Sequence, residues 1–365
     1  MASSRPKIDR FFLFSTLALA IAGFVMFLSA SLGLLAGGTA SFSTVAMKQA
    51  ASLFIGIACF WTFSRIPYRL LRRVALFVLI GAVAVNLLLF IPSLALHVNG
   101  ASRWINIGPL SFQPSEFLKI AFVIYLAAWI HFAKDRLGKM RYGLLPYAAI
   151  MGILGTLLLI QSDTDTLLII GATGIVMLTI AGMPIRHTLL AGLLMAAVVV
   201  GVVALRPYAL ARVKVFLNPG AYAQSTGYQI NQSLIAIGSG GLFGRGFGQS
   251  IQKFGYLPQP TDDSIFAVTA EEFGFVGASL LLALFCVFAA SAFRVATRAS
   301  DVFGSMVAVG IGTIVVIESF LNIAAMLGLV PVSGVPLLFV SHGGTALVIA
   351  LMATGIVANV SRYNK

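Results

Sequence analysis

The sequence predicts an all-α polytopic membrane protein of about ten transmembrane helices, with a large extracytoplasmic loop between spans 7 and 8. Three observations predict it. The 365 residues are 59% hydrophobic and 10% charged, with a mean hydropathy of +0.99, whereas a soluble domain carries about 25% charge. Apolar runs recur at roughly the 20-residue length that a bilayer demands. The basic residues fall in alternate connections between those runs.

The first run, 11–34, follows Arg5, Lys7 and Arg10. It is too long, and too poorly followed by a cleavage site, for a signal peptide, so it reads as a retained helix. Spans 46–64 and 74–96 flank Arg65, Arg69, Arg72 and Arg73. Span 114–131 runs into Lys134, Arg136, Lys139 and Arg141. Spans 144–160 and 165–181 enclose the short polar stretch QSDTDT, and Arg186 precedes span 188–205. The last three spans are 266–293, 305–329 and 341–361, with Arg294, Arg298, Arg362 and Lys365 on the same side as the earlier basic loops. Sixteen of the 24 basic residues lie on that side. The positive-inside rule puts it, and both termini, in the cytoplasm. The net charge of +13 is thereby a matter of topology rather than of nucleic-acid binding. The whole chain, 1–365, reads as one integral membrane domain.

Three connections on the opposite face are unusual: HVNGASRWINIGPLSFQ at 97–113, the long polar segment 206–265, and VPVSGVPLLFV at 330–340. Connections beyond about 15 residues are uncommon without a role. The long one carries apolar pieces, Val213–Leu217 and Leu234–Ile237 among them, and so predicts short amphipathic helices at the membrane surface. Gly238–Gly248 superficially resembles a phosphate-cradling loop, but it lacks the preceding strand and the following Lys-Ser/Thr. Tight irregular turns explain its glycines better. No 20–50-residue repeat is present. Cys59 and Cys286 lie in apolar runs and read as core residues. The four His are scattered and show no metal-ligand spacing.

Only eleven residues are acidic, and four of them, Asp262, Asp263, Glu271 and Glu272, fall together where the long segment meets a span. Carboxylates near a bilayer are tolerated mainly when they pair, line a wet cavity or do chemistry. Asp263 reads equally as a general base whose pKa burial would raise and as a helix N-cap, for which Asp262 is as good. At least one of Glu271 and Glu272 is expected to pair with a buried cation. Glu116 and Lys119, three apart at the head of a span, share a face and predict an intrahelical ion pair. Arg212, Lys214, Arg245 and Lys253, with Lys48, Arg103 and Arg206, lie on the face that topology should leave poor in charge, and as a set suit an anionic lipid substrate. Asp163 and Asp165 read as a short polar hairpin rather than a metal site. Glu318, inside a span, is either a polar helix–helix contact or part of a central cavity.

These pieces together resemble the SEDS family (shape, elongation, division and sporulation), the RodA/FtsW type of peptidoglycan glycosyltransferase. The resemblance rests on Gly100-Ala101-Ser102-Arg103-Trp104, Phe112-Gln113-Pro114-Ser115-Glu116-Phe117-Leu118-Lys119, Arg212 to Pro219, Gly227-Tyr228-Gln229-Ile230-Asn231-Gln232-Ser233, Tyr256-Leu257-Pro258, Asp263-Ser264-Ile265-Phe266-Ala267, Glu271 to Gly274 and Pro336 to Gly344. It covers most of the chain. It implies polymerisation of lipid II, the undecaprenyl-pyrophosphate-linked disaccharide peptide, outside the cytoplasmic membrane of a bacterium. It also implies a class B penicillin-binding protein as partner, with other divisome or elongasome membrane proteins. The family's essential Asp, in TDFIF, aligns with Asp263 in DDSIF, and Asp262 replaces the usual Thr. QSDTDT departs from QPDLGT, and His342 replaces a common Tyr. The resemblance implies Asp263 as catalytic base and Arg103, Gln113, Glu116, Lys119, Arg212 and Gln229 as substrate-binding residues, with Glu116 holding Lys119. A divalent cation could bridge the pyrophosphate, although no ligand set in the chain demands one. ASRWINIGP and KFGYLP look like the FtsW branch, and SLIAIGSGG as much like RodA; the FtsW branch is preferred. A lipid II flippase and a non-catalytic scaffold for the crosslinking enzyme are the rival functions.

Overall fold

The computed structural model describes residues 7–37, 42–98, 101–107 and 110–363. Arg5, Gly100 and Lys365, which the sequence reading uses, lie outside the described residues, as do Gly108 and Pro109 of the 97–113 connection. The chain is a multi-pass membrane protein. In order come α1 (Arg10–Ser31), the single turn α2 (Leu34–Gly37), α3 (Phe42–Phe63) and α4 (Tyr68–Leu87). Three strands follow: β1 (Ala95–Val98), β2 (Ala101–Ile107) and β3 (Leu110–Phe112). Then come α5 (Pro114–Ala133), α6 (Leu144–Ile160), α7 (Thr164–Ile180), α8 (Ile185–Leu205), α9 (Pro207–Leu217), α10 (Tyr228–Ser239), α11 (Ile265–Arg298), α12 (Val302–Met326) and α13 (Gly344–Arg362).

Eight described helices are long and apolar enough to cross a bilayer, while α6 and α7 are apolar but only 17 residues each. The helix ends follow local chemistry. Asp9 accepts hydrogen bonds from the amides of Phe11 and Phe12 at the head of α1, Pro114 fills the first turn of α5, and Asp301 caps α12 through the amide of Gly304. Each satisfies or dispenses with an otherwise orphaned donor.

At the centre stands α12, packed against α5, α7, α11 and α13. Phe303, Val307, Ala308 and Ile311 on it are fully covered. On the rim stands α8, where Leu189, Leu193 and Val200 are exposed and only Ala191 is buried. A helix apolar all round and covered on one strip has hydrocarbon as its solvent. Cys286, expected in the core, is exposed on α11.

Two features were not read from the sequence. The 97–113 connection is a three-stranded antiparallel sheet in the order β1-β2-β3, with Ala95 opposite Ile105 and Ile105 opposite Phe112. The predicted span 74–96 accordingly ends at Leu87. The second is a break in α11 at Gly274, whose φ of 65° and ψ of −166° are non-helical. The glycine-rich segment docks on that break. The amides of Arg245 and Gly246 donate to the carbonyls of Glu271 and Glu272, and those of Phe275 and Val276 donate to Gly241 and Leu242. Backbone groups freed inside a bundle need such partners. A Cβ at Gly274 would run into the backbone of Leu242 and Gly244.

Candidate functional site

Asp262 and Asp263 close the long segment immediately before α11. Neither caps the helix: Ser264 holds the cap position and makes no capping side-chain bond. Their backbone is fixed instead by the segment between α12 and α13. Ser341 Oγ donates to the Asp262 carbonyl at 2.7 Å, and the His342 amide donates to Thr261 O at 2.7 Å. Asn322 Nδ2, from α12, donates to both Asp263 O (2.9 Å) and Val335 O (2.8 Å). Both carboxylates are half-buried and neither makes a hydrogen bond or ion pair among the described residues. Burial first, and the charge of Asp165 second, push the Asp263 carboxyl up to about 6, against the opposing pull of Arg212 and Arg103. Burial, with Asp263 beside it, pushes Asp262 up to about 7.

Strand β2 carries Arg103 and helix α9 carries Arg212 to the same place. Arg103 Nη1 lies 3.8 Å from Asp163 Oδ1 and 3.9 Å from Asp165 Oδ2, and its Nη2 donates to Ser162 O. Arg212 Nη1 lies 3.4 Å from Asp165 Oδ2. A Cβ on Gly334 would sit 3.8 Å from Asp263 Oδ2 and 3.9 Å from Arg212 Nη2, so carboxylate and guanidinium face one small space. Gln229 Nε2 donates to Ser264 Oγ at 3.0 Å, which brings α10 to the same corner. Of the sequence-predicted residues, Asp263, Arg103, Arg212 and Gln229 converge.

The short polar hairpin read at Asp163 and Asp165 is a three-residue turn between α6 and α7, and both carboxylates are engaged there. Asp163 caps α7, accepting from the amide and hydroxyl of Thr166, and Asp165 holds both arginines. Both residues are buried, at 2% and 8% exposed. The available signal was their pairing with unexplained arginines on the same face of the protein.

Lys119 occupies a separate compartment. Its Nζ lies 2.9 Å from Glu116 Oε1 and 2.6 Å from Glu318 Oε2, and the residue is 2% exposed. The predicted Glu116–Lys119 pair therefore gains a third member from α12, and the three line a cavity of only about 10 Å³. Gln113 sits at the head of α5, donating to Ser115 Oγ at 3.1 Å. Arg245 and Lys253, read as part of an anion-attracting set, are counterions. Lys253 Nζ lies 2.6 Å from Glu272 Oε1, and Arg245 Nε 3.3 Å from Glu271 Oε1. Ser250 and the amides of Ile251 and Gln252 also bond to Glu271. The buried-cation pairing expected for at least one of these glutamates is that of Glu272 with Lys253, while Glu271 takes the exposed Arg245; both pairs fasten the long segment to α11.

Beside Asp165 and Arg212 opens a cavity of about 220 Å³, walled by Leu167, Leu168, Val198, Val202 and Val332. A second, of about 350 Å³, continues along α6, α7 and α8 and shares Leu167 and Val198 with the first. The charged corner is thus the mouth of an apolar groove against the most lipid-facing helix. Among the described residues, no three His, Cys, Asp or Glu side chains converge as a metal-ligand set.

Residues 9–365 match the family model FTSW_RODA_SPOVE, described as a cell cycle protein. The chain is 40% identical over 315 residues to stage V sporulation protein E of Bacillus subtilis, covering 86% of this chain and 84% of that one. It is 38% identical over 353 residues to the probable peptidoglycan glycosyltransferase FtsW of Trichlorobacter lovleyi, covering 97% and 93%. Among solved structures, it superposes with a TM-score of 0.81 on a chain from a study of how a peptidoglycan synthase complex coordinates polymerization and crosslinking. The identity there is 26%, over 97% of this chain and 98% of that one. The rod shape determining protein RodA of Thermus thermophilus shares the fold, with a TM-score of 0.72 at 24% identity over 98% of each chain.

Proposed function

The chain belongs to the FtsW/RodA/SpoVE family of cell cycle proteins, and from that premise we propose how its site performs the family's chemistry. The protein is a peptidoglycan glycosyltransferase of cell division or elongation, on the FtsW side of the family. Its substrate is lipid II, and the reaction takes place at the outer face of the bacterial cytoplasmic membrane, with both termini in the cytoplasm. The basic connections at the opposite end of the bundle support that orientation. A class B penicillin-binding protein is the partner; the similar chain in a synthase complex supports this.

Asp263 takes the proton of the acceptor's GlcNAc 4-hydroxyl. That oxygen forms a bond to the anomeric carbon of the donor MurNAc. The bond from this carbon to the diphosphate oxygen breaks, and its electron pair leaves with undecaprenyl diphosphate. Attack opposite the leaving group inverts the anomeric centre, giving a β-1,4 linkage. Arg212 and Arg103 meet the charge that develops on the departing diphosphate. Their present ion pairs are long, at 3.4 to 3.9 Å, and leave the guanidiniums free to re-pair with phosphate oxygens. The prenyl tail lies in the apolar groove along α7 and α8. Gln229 braces the Asp263 segment through Ser264. Gln113, Glu116 and Lys119 support the head of α5 behind the site.

The observation that carries this reading is the approach of an unpaired carboxylate and a guanidinium to one space at the mouth of an apolar groove. Asp263→Ala in the full-length protein with its partner tests it. Labelled lipid II should form glycan strands with the wild type, and the variant should lose at least about 10²-fold. Unchanged strand synthesis would remove Asp263 as the base. Transfer of lipid II across vesicles without polymerisation would favour a flippase.

A further inference from the structure

The transfer described above leaves undecaprenyl diphosphate at the mouth of the groove beside Arg212. Its bond to the anomeric carbon has broken and the electron pair stays with it, so this head carries one more negative charge than the donor did. Two guanidiniums that steady the new charge also retain the spent head, and release limits turnover in many enzymes. We propose that Asp165 is a release residue: an internal anion that takes Arg103 and Arg212 back from the diphosphate once the glycosidic bond has formed. This rests on the glycosyltransferase reading above.

One oxygen of Asp165 serves both cations: Oδ2 lies 3.4 Å from Arg212 Nη1 and 3.9 Å from Arg103 Nη1. Its side chain is 11% exposed, against 34% for Arg212 and 18% for Arg103, so the carboxylate is more enclosed than either cation. Asp165 and Arg212 line the mouth of the groove together. No other duty explains the residue. Asp163, two residues earlier, is the cap of α7 and also approaches Arg103, at 3.8 Å. Among the described residues, the side-chain partners of Asp165 are the two arginines. It stands where the QPDLGT motif has Gly, so this carboxylate is an addition that the motif does without.

The pairing is loose enough to be exchanged. Charge-assisted contacts close to about 2.7–2.9 Å, whereas these stand at 3.4 and 3.9 Å. A carboxylate and a diphosphate cannot both close on the same guanidiniums. While the diphosphate is held, Asp165 stays enclosed beside like charge and without its counterions, which is costly. That repulsion grows with the charge on the ligand. It therefore weighs more on the spent head than on the donor, and the corner selects against its own product.

The test uses the full-length protein in complex with its penicillin-binding partner, reconstituted in phosphatidylcholine vesicles. Labelled lipid II is the substrate and undecaprenyl diphosphate the added inhibitor. Asp165→Asn keeps the shape of the side chain and removes its charge. It should lower the inhibition constant of undecaprenyl diphosphate about tenfold, the scale of one charged hydrogen bond, and lower the lipid II KM by less. Linkage formation should then show an initial burst followed by a slower steady rate. Asp165→Glu, which retains the charge, should keep the wild-type inhibition constant. Asp165→Gly should match Asp165→Asn, and it replaces that variant if the latter folds poorly. A raised inhibition constant would overturn the proposal, because a residue that only positions the arginines weakens anion binding when lost. An unchanged constant, or equal shifts in the inhibition constant and KM, would overturn it too. Failure of the Asp263 reading is separable: Asp263→Asn would polymerise at the wild-type rate while the Asp165→Asn shift stayed intact.

Discussion

Asp263 owes its basicity to where the chain puts it. Burial raises its carboxyl to about 6, and the two arginines keep it from rising further. A base must be deprotonated to act, so kcat/KM should climb with pH through about 6 and level above it. Arg212→Ala removes one of the charges that hold this value down. Its acid limb should move to higher pH, beyond the general loss of rate from the missing guanidinium. A pH–rate profile of single-linkage formation checks this, and an unmoved limb would place the titrating group elsewhere. Asp262 rises to about 7 beside it, but its place is taken by Thr in the motif that this stretch resembles. Asp262→Thr should therefore stay within about tenfold of wild type, below the loss expected for removing the general base itself. A loss as deep as that of Asp263→Ala, in the same strand-forming assay, would give the two carboxylates a joint role.

At the scale of elements, two joints hold the site. The first is the break in α11. Because Gly274 takes a positive φ and the Leu242–Gly244 backbone fills the space beside it, Gly274→Ala should separate the glycine-rich segment from the helix. The expected cost is at least about 1–3 kcal/mol, read as a lower melting temperature in detergent and faster proteolysis between α10 and α11. The second is the Lys119 triad, which clips α5 to α12 through Glu318. Lys119→Met would leave two buried carboxylates uncompensated, at a cost of about 3–5 kcal/mol. Folded yield should fall sharply and recover when Glu116→Gln and Glu318→Gln are added. If Lys119→Met instead folds normally and loses only turnover, the lysine acts on substrate.

For the whole molecule, the deepest helices, α5, α12 and α13, form a rigid post, and the thinly packed α8 leaves a groove beside it. Val202→Trp, narrowing that groove, should slow reaction with the full-length undecaprenyl donor severalfold and spare a short-tailed one. Kinetics with the two chain lengths distinguish a tail groove from an incidental gap. The membrane fold and the family were legible in the chain because composition, charge placement and motif order are local properties. The sheet around Arg103 was not, since its strands are short and their alternation is lost in a predominantly apolar sequence. The partners of Asp165, Lys253 and Glu318 were hidden for another reason: each lies at least 19 residues away.

By itself the sequence determined that this chain crosses a membrane many times, which end of it is basic, and which segment gathers its acidic residues before a span. Hydrophobicity and net charge act residue by residue and need no partner to be read. Only the tertiary structure decided which cations face that carboxylate and which are consumed as counterions. Pairing in a low-dielectric interior depends on distances between residues far apart in the chain, and packing alone sets those distances.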